Sequence, residues 1–201
     1  RSVAQHEKFL SRCFERQPTV STPFPSVAMV KDARGKMRSG VPTMFAAAPV
    51  RNANFQVIAA IAFRLRPDRE FTKILQLGTI GKSGETYAFD KSGLMVSNSR
   101  FDEQLILLGL LPDTDDATSI LTLSLRDPGG AMMAGHRPGR RRSELPFTKS
   151  CASAIVGESS YDVDGYRDYR GVAVVGAWAW LPKYDLGICT EIDYSEAFRP
   201  L

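Results

Sequence analysis

The stretch YRDYRGVAVVGAWAWLPKYDLGICTEIDYSEAF, residues 166–198, contains the pattern that decides the fold. It holds two long apolar runs, Val172–Leu181 and Leu186–Asp193, which are separated by a short polar turn. Runs of this length that are rich in β-branched and aromatic residues and bounded by turn-forming residues predict β-strands. With a preceding run, Ser160–Tyr169, they predict a three-stranded antiparallel meander, and a helix is predicted to begin at Ser195.

An earlier part of the chain repeats this pattern weakly. KDARGKM (31–37) supplies a similar turn, and TMFAAAPV (43–50) and FQVIAAIAFRL (55–65) supply two long apolar strands. A helix, Ser2–Glu15, and a further strand, Val27–Lys31, are predicted before them. The corresponding residues are Asp32, Gly35, Pro49 and Phe71 in the first copy, and Asp168, Gly171, Pro182 and Phe198 in the second. Each copy is therefore predicted to be a meander that ends in a helix.

The segment between the two copies predicts a hairpin followed by helices. ETYAFD (85–90) alternates polar and apolar residues, DKSG turns the chain, and LMVSNS (94–99) is the predicted return strand. A Gly- and Pro-rich loop, 127–146, is expected to be mobile. It separates two predicted helices, Phe101–Leu111 and Phe147–Val156. Two strands, helices and then three strands is the five-stranded order of PAS-like domains, so the predicted class is α+β with antiparallel sheets and flanking helices.

Residues 25–200 resemble the double form of the Cache family of bacterial sensor domains. GKSGETYAFDKSGLMVSNSRF (81–101) is similar to the opening of that family's membrane-proximal module, and residues 166–198 are similar to its closing strands. The resemblance implies a partial membrane-distal module, 1–78, and a complete PAS-like module, 79–201. It also implies a periplasmic or extracellular ligand sensor, itself not an enzyme, in a membrane-anchored protein with a cytoplasmic kinase, cyclase or methyl-accepting domain. A homodimer is compatible with it.

Composition excludes several other classes. The net charge is +4 and the sequence pI is about 9.1, but the excess is concentrated in RPGRRR (137–142) and no basic face with interleaved aromatic residues is evident, so nucleic-acid binding is not predicted. Three cysteines and two histidines supply a zinc site poorly, and no cofactor motif occurs. No apolar run approaches the roughly 20 residues that cross a bilayer. The chain begins within a helical pattern, as expected of a segment of a longer protein.

A Gly-Lys-Ser sequence, residues 81–83, invites comparison with nucleotide-binding loops. The motif GxxxxGK[ST] requires a glycine at position 76, where this chain has Gln76. The motif should also follow a strand and begin a helix, whereas here it precedes a strand. We therefore interpret its glycines as a turn between a helix and the first strand of the second module.

The best candidates for a small-molecule site lie on the last strands. Tyr166 and Asp168 are expected to share one strand face, and Trp178 and Trp180 are expected to share a face of the next strand. Aromatic walls with a converging Arg167 and Asp168 suit an amino acid or organic acid, because arginine pairs with a carboxylate and aspartate with an amine. The alternative is that the tryptophans belong to the core and that the Arg–Asp pair lies on the surface.

Tyr87 and Arg100 complete the candidate ligand site, because both lie on the opening hairpin and are expected at the edge of its cavity. For Arg100 the alternative is a surface ion pair with Asp102 or Glu103. Among enzyme readings, Cys151 is a poor nucleophile candidate, because only His6 and His136 are available as a base. The alternative to a sensor is a ligand-free dimerisation or spacer module that relays conformation.

An acidic segment, DTDDATS (113–119), lacks the glycine and glutamate positions of an EF-hand. It is therefore interpreted as a solvated loop, and no metal site is predicted.

Overall fold

A computed structural model describes residues 2–15 and 17–199. The chain forms two compact units, Arg1–Glu70 and Phe71–Leu201, whereas the predicted modules meet after residue 78. All strand pairings are antiparallel and helices flank the sheets, which confirms the predicted α+β class. No helix in the described residues combines the length and hydropathy needed to span a membrane.

The first unit is built around one long strand. This strand, β5 (Pro42–Arg51), pairs with β6 (Val57–Leu65), and the two short strands β1 (Thr19–Val20) and β2 (Phe24–Pro25) also pair with β5. Helix α1 (Ser2–Phe14) packs its Phe9 and Cys13 against Ala47 of β5 and Ala60 of β6. The predicted strand Val27–Lys31 is reduced to β3 (Val30–Lys31), which pairs only with β4 (Met37–Arg38).

Four hairpin turns of the chain share one geometry. In each, the Oδ1 atom of an aspartate or asparagine accepts the backbone N–H groups two and four residues later, and the residue three positions later has a positive φ. This geometry explains the Asp-x-x-Gly repeat, because glycine adopts positive φ without strain. The pairs of first and fourth residues are Asp32 with Gly35, Asn52 with Phe55, Asp90 with Gly93, and Asp168 with Gly171.

The second unit contains a four-stranded sheet in the order β7 (Glu85–Phe89), β10 (Leu186–Asp193), β9 (Ala173–Leu181) and β8 (Ser160–Arg167). The last three strands form the predicted meander, and their bounds agree with the sequence to within two residues. The helices of this unit are α2 (Thr72–Gln76), α3 (Asp102–Leu107), α4 (Lys149–Ile155) and α5 (Tyr194–Ala197). A π-helical turn, Pro67–Phe71, precedes α2.

The predicted return strand LMVSNS is not a strand, so the expectation of five regular strands is wrong. Leu94 and Met95 form isolated bridges with Ser124 and Phe89. Val96 donates to Ala88 of β7, while Met95 exchanges hydrogen bonds with Leu121 and Leu123. The hydroxyl of Ser97, and not a backbone carbonyl, then accepts the N–H of Ala88. The segment divides its hydrogen bonds between two neighbours, and this division interrupts a regular ladder.

The Gly- and Pro-rich loop 127–146 is packed onto the second unit, and the expectation of a mobile loop is wrong. Met132 and Leu145 are buried, and the N–H of Met132 donates to the carbonyl of Arg170 at 3.1 Å. Arg142 donates to the carbonyl of Ser124 at 2.9 Å. The sequence did not indicate this packing, because the apolar side chains and the arginine of the loop are interspersed with many turn-forming residues.

Candidate functional site

One face of the second unit's sheet carries an ordered set of large side chains. Cys189 of β10 lies between Tyr87 of β7 and Trp178 of β9 in the strand register. One step further along the same face, Glu191 lies between Glu85 and Gly176. Because side chains alternate between faces along a strand, all six positions face the same core.

Glu191 is the centre of a buried hydrogen-bond network. Its Oε1 accepts the Tyr166 hydroxyl at 2.6 Å and the Ser150 hydroxyl at 3.1 Å, and its Oε2 accepts the Tyr87 hydroxyl at 3.0 Å. The Cys189 thiol donates to Oε1 at 3.3 Å. Gly176 makes room for this arrangement, because a Cβ there would lie 2.7 Å from the Tyr166 hydroxyl.

Every donor to Glu191 is electrically neutral. Burial raises the pKa of Glu191 from 4.5 to about 7, with a further contribution from the charge of Asp168, although the Tyr166 and Cys189 hydrogen bonds lower it. No lysine, arginine or histidine among the described residues forms an ion pair with it. A buried carboxylate without a cation is costly, so this group takes up a proton near neutral pH.

A second buried carboxyl group, that of Glu85, lies opposite Glu191 in the pairing of β7 with β10. Its Oε2 accepts the Tyr169 hydroxyl at 2.5 Å, and its Oε1 accepts the N–H of Arg100 at 2.8 Å. Burial raises the pKa of Glu85 as well. The Tyr169 ring makes an edge contact with that of Tyr87, with ring centres 5.7 Å apart, so the two carboxyl networks are joined by packed aromatic side chains.

Tyr166 belongs both to this network and to the lining of a surface pocket. A pocket of about 330 Å³ is lined by Asp164, Gly165, Tyr166, Arg167, Ala173 and Tyr194. Tyr166 is one of the residues that line this pocket, and its hydroxyl group donates to the buried Glu191. The ring also meets the Trp178 ring edge-on, with centres 5.5 Å apart, and Trp178 Nε1 has no hydrogen-bond partner among the described residues.

The structure brings three of the six predicted site residues together: Tyr87, Tyr166 and Trp178. Trp178 is only 5% exposed and belongs to the main core cluster, as in the core alternative for the tryptophans. Asp168 lies one residue beyond the end of β8, where it begins the turn, and it is buried as Tyr166 is. Asp168 pairs with Arg170 at 2.6 Å, and Arg167 pairs with Asp127 at 2.9 Å.

Trp180 and Arg100 lie apart from that group. Trp180 shares the face of Trp178 but stands opposite Gly187 near the far end of the sheet, where Lys91 lies 5.5 Å from its ring. Arg100 donates to the carbonyl oxygen of Gly84. The alternative ion pair of Arg100 with Asp102 or Glu103 is not formed within the described part of the chain.

Sequence reasoning missed Glu191, Glu85, Ser150 and Cys189. The sequence did contain an indication of Glu191. In the strand LGICTEID, side chains alternate between faces, so Glu191 lies on the same face as Gly187 and Cys189. An acidic residue at an inward position of an apolar strand marks a functional candidate. Cys151, which was considered as a nucleophile, is buried, and burial raises its pKa to about 12, which disfavours the reactive thiolate.

A chain of polar contacts runs from the β8–β9 turn to the last helix. Arg170 pairs with Asp193 at 2.9 Å, and the N–H of Asp193 donates to the Ser83 hydroxyl at 3.1 Å. The N–H groups of Lys82 and Ser83 donate to Glu196 of α5 at 2.8 and 2.7 Å, and the Ser83 hydroxyl also donates to Glu196. The Gly-Lys-Ser segment therefore does cradle an anion, and that anion is a carboxylate of its own chain.

No family model matches the sequence, and no curated protein matches it. Among solved structures, the chain is similar to the periplasmic sensory domain of the Campylobacter jejuni chemoreceptor Tlp1, at 13% identity and a TM-score of 0.49 over 96% of this chain and 56% of that one. It is also similar to the ligand-binding domain of the Pseudomonas aeruginosa PAO1 amino acid chemoreceptor PctB in complex with L-Arg, at 13% identity and a TM-score of 0.47 over 92% and 58%.

A third similar structure is the extracellular domain of mmHK1S-Z3, a protein assigned as a histidine kinase, at 11% identity and a TM-score of 0.47 over 94% of this chain and 53% of that one. The chain thus spans just over half the length of these structures. At this level of similarity, the function must be argued from the residues of this chain.

Proposed function

We propose that the chain is an extracytoplasmic ligand-sensing domain of a membrane-anchored signal-transduction protein of the kinase, cyclase or chemoreceptor type. The second unit binds a small polar molecule with a protonated amine, such as an amino acid, and the first unit is a partial module of the same kind. One observation carries the proposal. Glu191 is a buried carboxyl group whose hydrogen-bond donors among the described residues are all neutral, and one of these donors, Tyr166, is also a lining residue of a surface pocket.

An amine is the ligand group that Glu191 favours. A carboxylate that is removed from water is stable only when it is protonated or paired with a cation. A protonated amine supplies that cation, while the hydroxyl groups of Tyr87 and Ser150 continue to hold the carboxylate oxygens. Binding therefore favours the charged form of Glu191 and releases its proton.

Tyr166 controls access to this carboxyl group. In this proposal, a ligand that enters through the pocket reaches Glu191 when the Tyr166 side chain turns aside and its hydroxyl group releases the carboxylate. The same movement removes the edge contact with Trp178, whose unpaired Nε1–H can then donate to a ligand carboxylate. An α-amino acid offers both an amine and a carboxylate, whereas an organic acid offers only the second.

The conformational change on ligand binding reaches α5 through the ion pair between the β8–β9 turn and Asp193. A ligand shifts a conformational equilibrium only by binding one state more tightly, and here that state has Tyr166 displaced. Tyr166 lies two residues before the Asp168 turn, whose Arg170 pairs with Asp193 at the start of α5. Truncation of the full receptor at Asp193 is therefore expected to abolish output while ligand binding survives; loss of binding as well would contradict this relay.

The second candidate function is a ligand-free dimerisation or spacer module. The packing of Tyr87 and Trp178 in the main core cluster favours it. A thermal-shift screen of amino acids, primary amines, organic acids and purines separates the two functions. A ligand at a hundred times its dissociation constant stabilises the folded state by about 2.7 kcal/mol, which is readily measured. We expect amino acids or amines to raise the melting temperature, and a flat screen would favour the spacer.

A further inference from the structure

The exposed side of α2 and the turn after it is apolar. Ile74 is 65% exposed, Leu77 is 87% exposed and Ile80 is 69% exposed. The opposite side of α2 is the one that packs into the second unit, through the buried Thr72 and Leu75. A short surface helix normally presents polar side chains to water, so apolar residues on both sides need an explanation.

This apolar segment lies beside the last helix of the chain. The turn residues that follow Ile80 bind Glu196 of α5 through two backbone N–H groups and the Ser83 hydroxyl. Two further exposed aromatic side chains, Tyr194 of that helix and Phe198 just after it, contact one another with tilted rings at a ring-centre distance of 4.6 Å. We call Ile74, Leu77, Ile80 and Phe198, with the basic residues described next, the basal patch.

The charges around these side chains are mostly positive. No aspartate or glutamate occurs from Phe71 to Gly84, while Lys73 and Lys82 lie in that segment and Arg199 follows Phe198. The single acidic side chain of α5, Glu196, is already engaged by the N–H groups of Lys82 and Ser83. The basal patch therefore combines exposed apolar groups with an excess of positive charge, since three basic side chains outnumber the one carboxylate of Glu196.

We propose that the basal patch binds the surface of an anionic lipid bilayer. Leucine, isoleucine and phenylalanine side chains gain by insertion at the boundary between headgroups and acyl chains, and lysine and arginine gain from anionic headgroups. A second copy of the chain fits less well, because a two-fold interface would bring Lys73 and Lys82 against the same lysines of its partner. The proposal does not depend on ligand binding by the second unit.

Flotation of the chain with lipid vesicles tests this proposal. We expect binding to vesicles of phosphatidylglycerol mixed with phosphatidylcholine, weaker binding at high salt, and little binding to phosphatidylcholine alone. Removal of one lysine charge, in Lys73→Gln or Lys82→Gln, is expected to weaken binding about fivefold. The Lys82 backbone N–H that donates to Glu196 is retained in the second variant.

The double variant Leu77→Ser, Ile80→Ser is expected to lose vesicle binding without loss of fold, because both side chains are in solvent. Its matched control is Leu107→Ser on α3, which is 80% exposed outside the basal patch and is expected to bind as the unaltered chain does. Thermal unfolding of each variant verifies that it is folded. Three results would each overturn the proposal: no binding to anionic vesicles, equal binding by the double variant, or self-association that the double variant abolishes.

Discussion

Glu85 and Glu191 lie directly opposite one another in the antiparallel pairing of β7 with β10, and both carboxyl groups are buried. Like charges at directly opposed positions destabilise a sheet, and burial adds a desolvation cost to each. Protonation avoids both costs, and burial is the largest cause of the raised pKa of each group. Protonation of either group, or a cation paired with it, relieves the cost of burial.

The pH dependence of stability should reveal Glu191. Burial raises its pKa from 4.5 to about 7, so between these values the folded chain keeps a proton that the unfolded chain has released. The free energy of unfolding must therefore fall as pH rises through this interval, by about 3 kcal/mol for the full shift. Urea unfolding at a series of pH values measures it.

In the variant Glu191→Gln, the free energy of unfolding is expected not to fall in this way as pH rises, because an amide does not titrate. Glu85→Gln serves as the matched control on the opposite strand, and it should keep the part of the pH dependence that belongs to Glu191. Parallel pH profiles for Glu191→Gln and the unaltered chain would contradict the assignment.

Glu196 is expected to slow hydrogen exchange in the turn that binds it. The N–H groups of Lys82 and Ser83, with the Ser83 hydroxyl, lower the pKa of Glu196 to about 2. The stabilisation by Glu196 is therefore complete above pH 4.5 and is lost as pH falls from 4.5 towards 2. In Glu196→Ala, hydrogen exchange at the amides of Lys82 and Ser83 should accelerate at neutral pH.

Glu158→Ala is a suitable control for that exchange measurement, because the Glu158 carboxylate accepts a side-chain hydroxyl, that of Ser153, and no backbone N–H among the described residues. Unchanged exchange at Lys82 and Ser83 in Glu196→Ala would show that the contact does not hold the turn.

Two glycines with similar backbones should differ sharply in their tolerance of alanine. Gly109 and Gly171 have φ values of 69° and 79°, so alanine strains the backbone at both. A Cβ at Gly109 would meet open space, whereas one at Gly171 would overlap the Gly130 carbonyl of the packed loop. We expect Gly109→Ala to cost about 1 kcal/mol of unfolding free energy, and Gly171→Ala to cost about 3 kcal/mol or more. Equal costs would mean that the loop does not pack against this turn.

Local chemistry explains which parts of the fold could be predicted from the sequence. The meander and its Asp168 turn were predictable, because the turn's hydrogen bonds lie within five residues of chain. The broken return strand was not, because the Ser97 hydroxyl replaces a backbone acceptor and a distant segment takes the other hydrogen bonds.

The candidate site also depends on contacts between distant parts of the chain, which the sequence does not reveal. Strand periodicity places Trp178 and Trp180 on one face, but only the register with β10 shows that Trp178 lies beside the Glu191 network and that Trp180 does not. The importance of Glu191 depends on donors from β7, β8 and α4, which are separated from it by 25 to 104 residues and cannot be paired by inspection.

The most direct test of the account is isothermal titration of the chain with the amino acid or amine that gives the largest thermal shift, with Trp178→Phe and Trp180→Phe as a matched pair. Both variants remove one indole N–H from the same sheet face, but only Trp178 contacts Tyr166. We expect Glu191→Gln to abolish binding, Trp178→Phe to weaken it about tenfold, and Trp180→Phe to leave it unchanged. Binding that survives in Glu191→Gln, or that is lost equally in both tryptophan variants, would contradict the proposed site.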